Sequence, residues 1–380
     1  MDVTSVEPSS PLDDKFREAA QSGLLTWRFA PAEKAGQAVA SETSVALQFE
    51  ARDAPARGGG PGVDRGTGGE AALESARYST RSRVALWNRE MREKAKNEIA
   101  SAAEALINKE RRAVAADEWF EVVTDLGGQK QADAILNNAG ATYAALYGLL
   151  GERIPPRPRD GRIRIYSFET NAQYQAFAAK VSPFEWSGGI YCAPGVVAFH
   201  SQHARVSFML VAMLHETTHA FVDRHLVRAG IALPRWLDEG LAEYVANSDI
   251  KNKKLVPGGH ERRKEIAMGL DGVTFWQTSS RANSEDAQRA QRQKRALSFE
   301  EIVSSGIETF YGKDRDLYYA QGWLAVHFLR HGRPEWSAGA FPEFLLYAAE
   351  GYAATDALRA AYGVEPAALE AAYQKYVKTF

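Results

Sequence analysis

The chain, 380 residues long, predicts an α+β protein: a small mixed β-sheet subdomain with helices, followed by a mainly α-helical subdomain. Three observations predict it. Between residues 119 and 200, apolar side chains recur in short runs with the period of strands. From residue 206 onward the period becomes helical and stays so to the end. At the junction of the last two-thirds, Pro234 suits the first position of a helix, where its missing N–H costs nothing.

The elements follow in order. Residues 1–50 are weakly patterned, with one strand expected at 44–49. Residues 51–72, ARDAPARGGGPGVDRGTGGEAA, hold almost no large apolar groups and cannot offset their ordering entropy, so a flexible linker is expected. An Ala- and charge-rich stretch at about 83–116 reads as one long helix, completing an N-terminal region of 1–117. Residues 118–204 read as a small α/β subdomain with an edge strand. It begins with a strand in WFEVVTD (119–125) and a helix over 130–150. RIRIYSF (162–168) alternates as a half-buried strand does, a helix follows at 171–180, and GGIYCAPGVVAFH (188–200) reads as a strand pair.

Residues 205–380 read as a helical subdomain. A solid apolar run at 208–214 leads into its first helix, and Pro234 opens the second. Further helices are expected at 299–305, 317–330, 342–349 and 367–378, with a solvated polar stretch at 281–296.

Composition narrows the function classes. Hydrophobic residues make up 45%, charged residues 25%, and the formal net charge is −2, which argues against nucleic acid as the main partner. The single cysteine, Cys192, excludes an intrachain disulfide and a cysteine-rich zinc site. No apolar run reaches the roughly 18 residues of a membrane span, so no transmembrane segment is expected. The first residues, MDVTSVEPSSPLDDKF, lack a basic stretch before an apolar one, so no signal peptide is expected in the chain as written. An exported protein whose leader had been removed would read the same way, which leaves the compartment open.

The most informative motif is HETTH, His215 to His219. Residues i and i+4 share one helix face, so these two imidazoles present nitrogens to a single metal ion. Glu216 is turned about 100° around the helix, placed to reach a metal-held water without ligating the metal. Such a water is acidified to a pKa of about 7, and a neighbouring carboxylate takes its proton and returns it to a leaving amine. Catalytic zinc sites use three protein ligands. The segment PRWLDEGLAEY supplies Glu239 as the third. Glu243, one turn later, shares its face and is placed to accept from the outer ring N–H of a ligating histidine. Asp223, one turn after His219, is a weaker candidate for the same role, and Asp238 is expected to point elsewhere. His225, His260, His327 and His331 read as packed or surface side chains.

HETTH followed by PRWLDEGLAEY resembles the gluzincins, the thermolysin-like zinc peptidases of the MA-clan-like type, and looks most like predicted bacterial peptidases of that group. The unit from WFEVVTD to RIRIYSF, the helix YYAQGWLAVHFL and the closing GVEPAALEAAYQKYV agree with it. The resemblance covers residues 118–380 and leaves 1–117 unaccounted for. It implies a zincin-like fold, one zinc ion on His215, His219 and Glu239, and Glu216 as general base and acid. It also implies that residues 195–200 include an edge strand along the cleft, to which an extended peptide adds. A tyrosine donor to the oxyanion is implied as well, with Tyr319 the choice and Tyr318 the alternative.

The expectation is therefore a zinc metallopeptidase acting on a peptide or protein substrate. A zinc-bound scaffold or latent binding protein with little turnover is the alternative from another class. A metallohydrolase of small amides or cell-wall peptides is a third reading. A two-histidine, one-carboxylate set also accepts iron or cobalt. Residues 1–50, set off by the linker, suggest a removable pro-segment or a substrate-recruiting module.

Overall fold

Alternation in the first half resolves into one sheet with both faces covered. The computed structural model describes residues 32–34, 37–39, 89–150, 161–181, 188–201, 206–227, 232–252, 254–257, 297–312, 315–336 and 338–378. The expected strand at 44–49, the linker at 51–72 and the polar stretch at 281–296 lie outside them. The chain divides into two units, Met1–Arg65 and Gly66–Phe380. In the first, β1 (Ala32–Lys34) and β2 (Gln37–Val39) pair antiparallel, with Ala32 opposite Val39.

The second unit opens with helix α1 (Arg89–Glu104), which is shorter than the sequence suggests. After Glu104 the chain makes tight turns and enters strand β3 (Ala113–Ala116), antiparallel to β4 (Phe120–Thr124). Alanine favours helix, yet here pairing with β4 decides. The Asp125 carboxylate helps, accepting from the Asn108 N–H at 2.9 Å and holding the turn. The long helix expected to 116 is thus corrected to a helix, a turn and a sheet-edge strand.

After β4 come α2 (Gly128–Leu150), β5 (Ile163–Phe168), α3 (Asn171–Val181), β6 (Gly189–Cys192) and β7 (Val196–His200). The strand order is β3-β4-β5-β7-β6, with β4, β5 and β7 mutually parallel and both outer strands antiparallel. Residues 196–200 therefore lie inside the sheet, and the edge beside them is β6. This corrects the expected edge strand. The signal was present, since Val196 to Phe199 are apolar without alternation and all buried, as suits a strand covered on both faces.

Each strand sends alternate residues to two separate cores. Val122, Ile163, Ile165, Tyr191, Val197 and Phe199 join the core with α2 and the next helix, α4 (Val206–His225). Val123, Tyr166, Phe168, Ile190 and Ala198 meet Ala100 and Ala103 of α1 and Tyr174 and Phe177 of α3 on the other face.

The helical half is built on α5 (Arg235–Ala246), all of whose residues are buried. Pro234 is its cap rather than its first residue, and its carbonyl accepts from the N–H groups of Leu237 and Asp238. A hairpin of β8 (Ser248–Lys251) and β9 (Lys254–Pro257) follows. Then come α6 (Phe299–Val303), α7 (Ile307–Phe310), α8 (Arg315–His331), α9 (Ala340–Ala349), α10 (Ala354–Tyr362) and α11 (Pro366–Val377). The expected helix at 299–305 stops at Val303 and restarts as α7; α10 was not anticipated. Ser298 and Glu301 form a reciprocal capping box that starts α6.

Helices α5 and α8 meet backbone to backbone. A methyl group on Gly240 would stand 2.5 Å from the carbonyl oxygen of Gly322. Only glycine permits that approach, and it fixes α5 one residue after Glu239. No helix among the described residues is long and apolar enough to cross a membrane.

Candidate metal centre

Helix α4 changes character halfway. Ala212, Met213 and Leu214 fill the core beside the sheet. The next turns bury polar groups instead, among them His215, Glu216 and His219. A polar stretch inside a core needs partners to offset its desolvation, and α5, packed against α4, supplies them.

The imidazole rings of His215 and His219 lie 4.8 Å apart between centroids. Their Nε2 atoms approach to 3.1 Å. Glu239 Oε2 sits 3.2 Å from His215 Nε2 and 3.3 Å from His219 Nε2. Among the described residues these three side chains form the one group able to hold a metal ion. Donors bound tetrahedrally to zinc at about 2.0–2.1 Å stand about 3.3–3.4 Å apart, close to this triangle. Glu239 Oε2 is buried and faces both imidazoles. The donor set and its spacing fit the ion.

The outer nitrogens and oxygens are held in turn. His215 Nδ1 lies 3.1 Å from Glu243 Oε1, the placement anticipated for Glu243. His219 Nδ1 lies 3.0 Å from Asp238 Oδ1. Asp238 thus holds the position considered for Asp223, a correction to its expected direction. Asp223 instead accepts from the Tyr191 hydroxyl at 2.6 Å, on the β6 side of α4. The physical reason lies in Arg235, whose Nη1 donates to Asp238 Oδ2 and Glu239 Oε1, each at 3.1 Å, and ties the two acids into one cluster.

Glu239 Oε1 receives a second donor, the Tyr311 hydroxyl at 2.7 Å. With Oε1 engaged twice, only Oε2 is left facing the histidines. The carboxylate is oriented to ligate through one oxygen. The Arg235 guanidinium lies over the Tyr311 ring at 5.0 Å, which braces both donors.

Tyr319 packs edge-on beside this pair, its ring 6.2 Å from that of Tyr311 and 5.2 Å from that of Phe310. Tyr318 packs on Phe310 at 5.8 Å. The Tyr311 hydroxyl reaches the cluster at Glu239 Oε1. Sequence reasoning missed Tyr311, Arg235 and the role of Asp238. Arg235 carried a signal, being one turn before Glu239 at a helix start. Tyr311 carried none.

Glu216 stays out of the ligand triangle. It points to the sheet, where a methyl group on Gly189 would stand 3.0 Å from its Cγ. Its Oε2 is buried and makes no hydrogen bond. The first residue of the edge strand is glycine, and its missing side chain is the room this carboxylate occupies.

The electrostatics are those of an ion site. Glu216, Asp238, Glu239 and Glu243 surround two imidazoles and one guanidinium. Burial pulls His215 down, but hydrogen bonds to Glu239 and Glu243 outweigh it and hold the imidazole well above its usual 6.5. Burial pushes Glu239 up, and the charge of His219 with the hydrogen bonds of both histidines brings it well below 4.5. A dication held by His215, His219 and Glu239 would supply positive charge to the same acids.

His225, His327 and His331 serve packing. His225 Nε2 meets the Tyr147 hydroxyl at 3.1 Å. On α8, His327 Nδ1 meets Tyr376 at 2.7 Å and His331 Nε2 meets Tyr244 at 2.9 Å. His260 lies outside the described residues. No protein-family model matches the chain, and no curated protein matches its sequence. Function must be argued from the site.

Proposed function

We propose that this chain is a zinc-dependent peptidase of the gluzincin type, with His215, His219 and Glu239 as ligands and Glu216 as general base. The observation that carries the reading is the separation of roles. Three donor atoms converge within 3.1–3.3 Å of one another, while a fourth buried group, the Glu216 carboxylate with an oxygen free of hydrogen bonds, stands beside them and faces the edge strand. A purely structural site has no use for that fourth group.

A bound zinc ion would supply Lewis acidity, polarising a peptide carbonyl and acidifying water. The chain's own residues do the rest. Glu216 Oε2 accepts the proton of the attacking water and passes it to the departing amine. Glu243 and Asp238 fix the outer nitrogens of the two histidines, and Arg235 and Tyr311 keep Glu239 on one oxygen. Among the described residues no strand pairs with the outer side of β6, so an extended peptide has a place to add beside Glu216. Tyr319, or alternatively Tyr318, is assigned as donor to the oxyanion. An antiparallel edge strand running beside the histidine helix also supports the zincin-like subtype of α+β fold. Iron or cobalt would fit the same donors.

Burial supports a second reading. His215, Glu216, His219, Glu239 and β6 are all buried, as in a latent or scaffold form with little turnover. Mass-spectrometric cleavage of a diverse peptide library by the zinc-loaded protein separates the two. Cleavage that falls by about 10²–10⁴-fold in Glu216→Gln, with zinc retained, is the expected result. No cleavage by folded, zinc-replete wild type favours the latent form, and full activity in the variant rejects the assigned base.

A further inference from the structure

Helix α5 brings three buried acids to the two histidines, and each offers them one oxygen. Asp238 Oδ1 lies 3.0 Å from His219 Nδ1. Glu239 Oε2 faces both Nε2 atoms, at 3.2 and 3.3 Å. Glu243 Oε1 lies 3.1 Å from His215 Nδ1. The last torsion of a carboxylate side chain is soft. Which oxygen meets a ring is therefore set by whatever holds the other one. For Asp238 and Glu239 that holder is Arg235, whose Nη1 donates to Asp238 Oδ2 and Glu239 Oε1 at 3.1 Å each. Eight residues, about 12 Å along the axis, separate Arg235 from Glu243, so the third acid needs another donor.

That donor comes from the far end of the same helix. Asn247, one turn beyond Glu243, donates from Nδ2 to Glu243 Oε2 at 3.2 Å. The same Nδ2 donates to the Glu243 carbonyl at 2.9 Å. An amide nitrogen carries two hydrogens, which suffices for both acceptors. The carbonyl bond fixes where the amide stands, and the carboxylate bond uses that position. The end of the helix has other supports. The Asn247 backbone N–H bonds the carbonyls of Glu243 and Val245, and the Ser248 hydroxyl donates to the Tyr244 carbonyl at 2.7 Å.

We propose that Asn247 is a positioning residue that sets the His215 ring by acting through Glu243. With Glu243 Oε2 held by the amide, Oε1 stays on His215 Nδ1, and His215 Nε2 stays aimed at His219 and Glu239. Arg235 and Asn247 thus bracket the three acids from the two ends of one helix. That this ring position serves a metal ion rests on the reading given under Proposed function; the contact itself does not.

A double-mutant cycle in the full-length chain tests the route, with zinc affinity read by competition with a chelator. Asn247→Ala is expected to weaken zinc about tenfold, the lower end of what groups behind a ligating histidine contribute. In a Glu243→Ala background the same change is expected to cost nothing further, because the intermediary is gone. No loss in the single variant, or an equal loss in both backgrounds, overturns the proposal. A second arm needs no metal. In the metal-free protein the His215 Nδ1 proton, assigned by its absence from His215→Ala, is followed by NMR. It is expected to shift or exchange away in Asn247→Ala, and an unmoved signal overturns the proposal. If wild type binds no zinc, the metal reading fails and this arm still decides whether Asn247 sets the ring. Should Asn247→Ala not fold, Asn247→Asp replaces it in both arms, since it keeps the shape and removes the donor.

Discussion

Two histidine pairs in this molecule share spacing and differ in everything else. His215 with His219, and His327 with His331, each lie one turn apart on a helix, and both pairs have ring centroids 4.8 Å apart. In the first pair the Nε2 atoms face each other at 3.1 Å and carboxylates hold the outer nitrogens. In the second, His327 and His331 turn to the hydroxyls of Tyr376 and Tyr244. Spacing therefore sets how close two rings come. The side chains packed against them decide whether the pair faces carboxylates or hydroxyls.

Removing one histidine from each pair gives the widest contrast. His215→Ala is expected to lose bound zinc on dialysis, while His327→Ala keeps one ion per chain, as read by elemental analysis. Loss of zinc from both variants would erase the distinction between the pairs.

Next in size is the support of the ligand carboxylate. Tyr311→Phe removes the hydroxyl that occupies Glu239 Oε1, and zinc affinity is expected to fall about 10–100-fold. The corresponding change on the other pair, Tyr376→Phe, is expected to leave affinity unchanged in the same competition titration with a chelator.

Gly240→Ala asks how far the first pair depends on the crossing of α5 with α8. With a methyl 2.5 Å from the Gly322 carbonyl, the helices must separate, at a cost of about 1–3 kcal/mol for overpacking. A lowered midpoint in denaturant, together with weaker zinc binding, is the expected outcome. Unchanged stability would mean that α5 is free to shift.

Smallest, and most specific, is the response to pH. In the metal-free protein the raised His215 and the lowered Glu239 hold each other ionised. For His215 the stabilisation is fully present below its unfolded value near 6.5 and is lost as pH rises through the raised folded value. For Glu239 it is present above about 4.5 and is lost as pH falls through the depressed value. Stability of the metal-free chain should therefore decline on the alkaline side. Zinc affinity should strengthen there, because the ion must displace the His215 proton. Proton release on zinc addition at neutral pH, measured in weak buffer, checks the sign; no release would show His215 already neutral.

Much of the site was legible in the chain because much of it is local. HETTH fixes two imidazoles and one acid around a single helix, and the four-residue step from Glu239 to Glu243 does the same on α5. What failed to read was whatever depended on a partner distant in sequence. Spacing favours Asp223 over Asp238 as the acid behind His219, and the side on which α5 packs reverses that choice. Tyr311 meets Glu239 across 72 residues, and no pattern in the sequence marks it. At the N-terminal side, propensity favours one helix through the alanine-rich stretch, yet its last residues pair in the sheet.

The sequence by itself determined most of the helices and central strands, the two imidazoles and the carboxylate beside them, because helix periodicity acts over four residues. Tertiary structure decided which strand became the edge, which acid each histidine received, and which oxygen of Glu239 was left to face them. Those outcomes follow from which faces bury against which, and burial is a property of the whole fold.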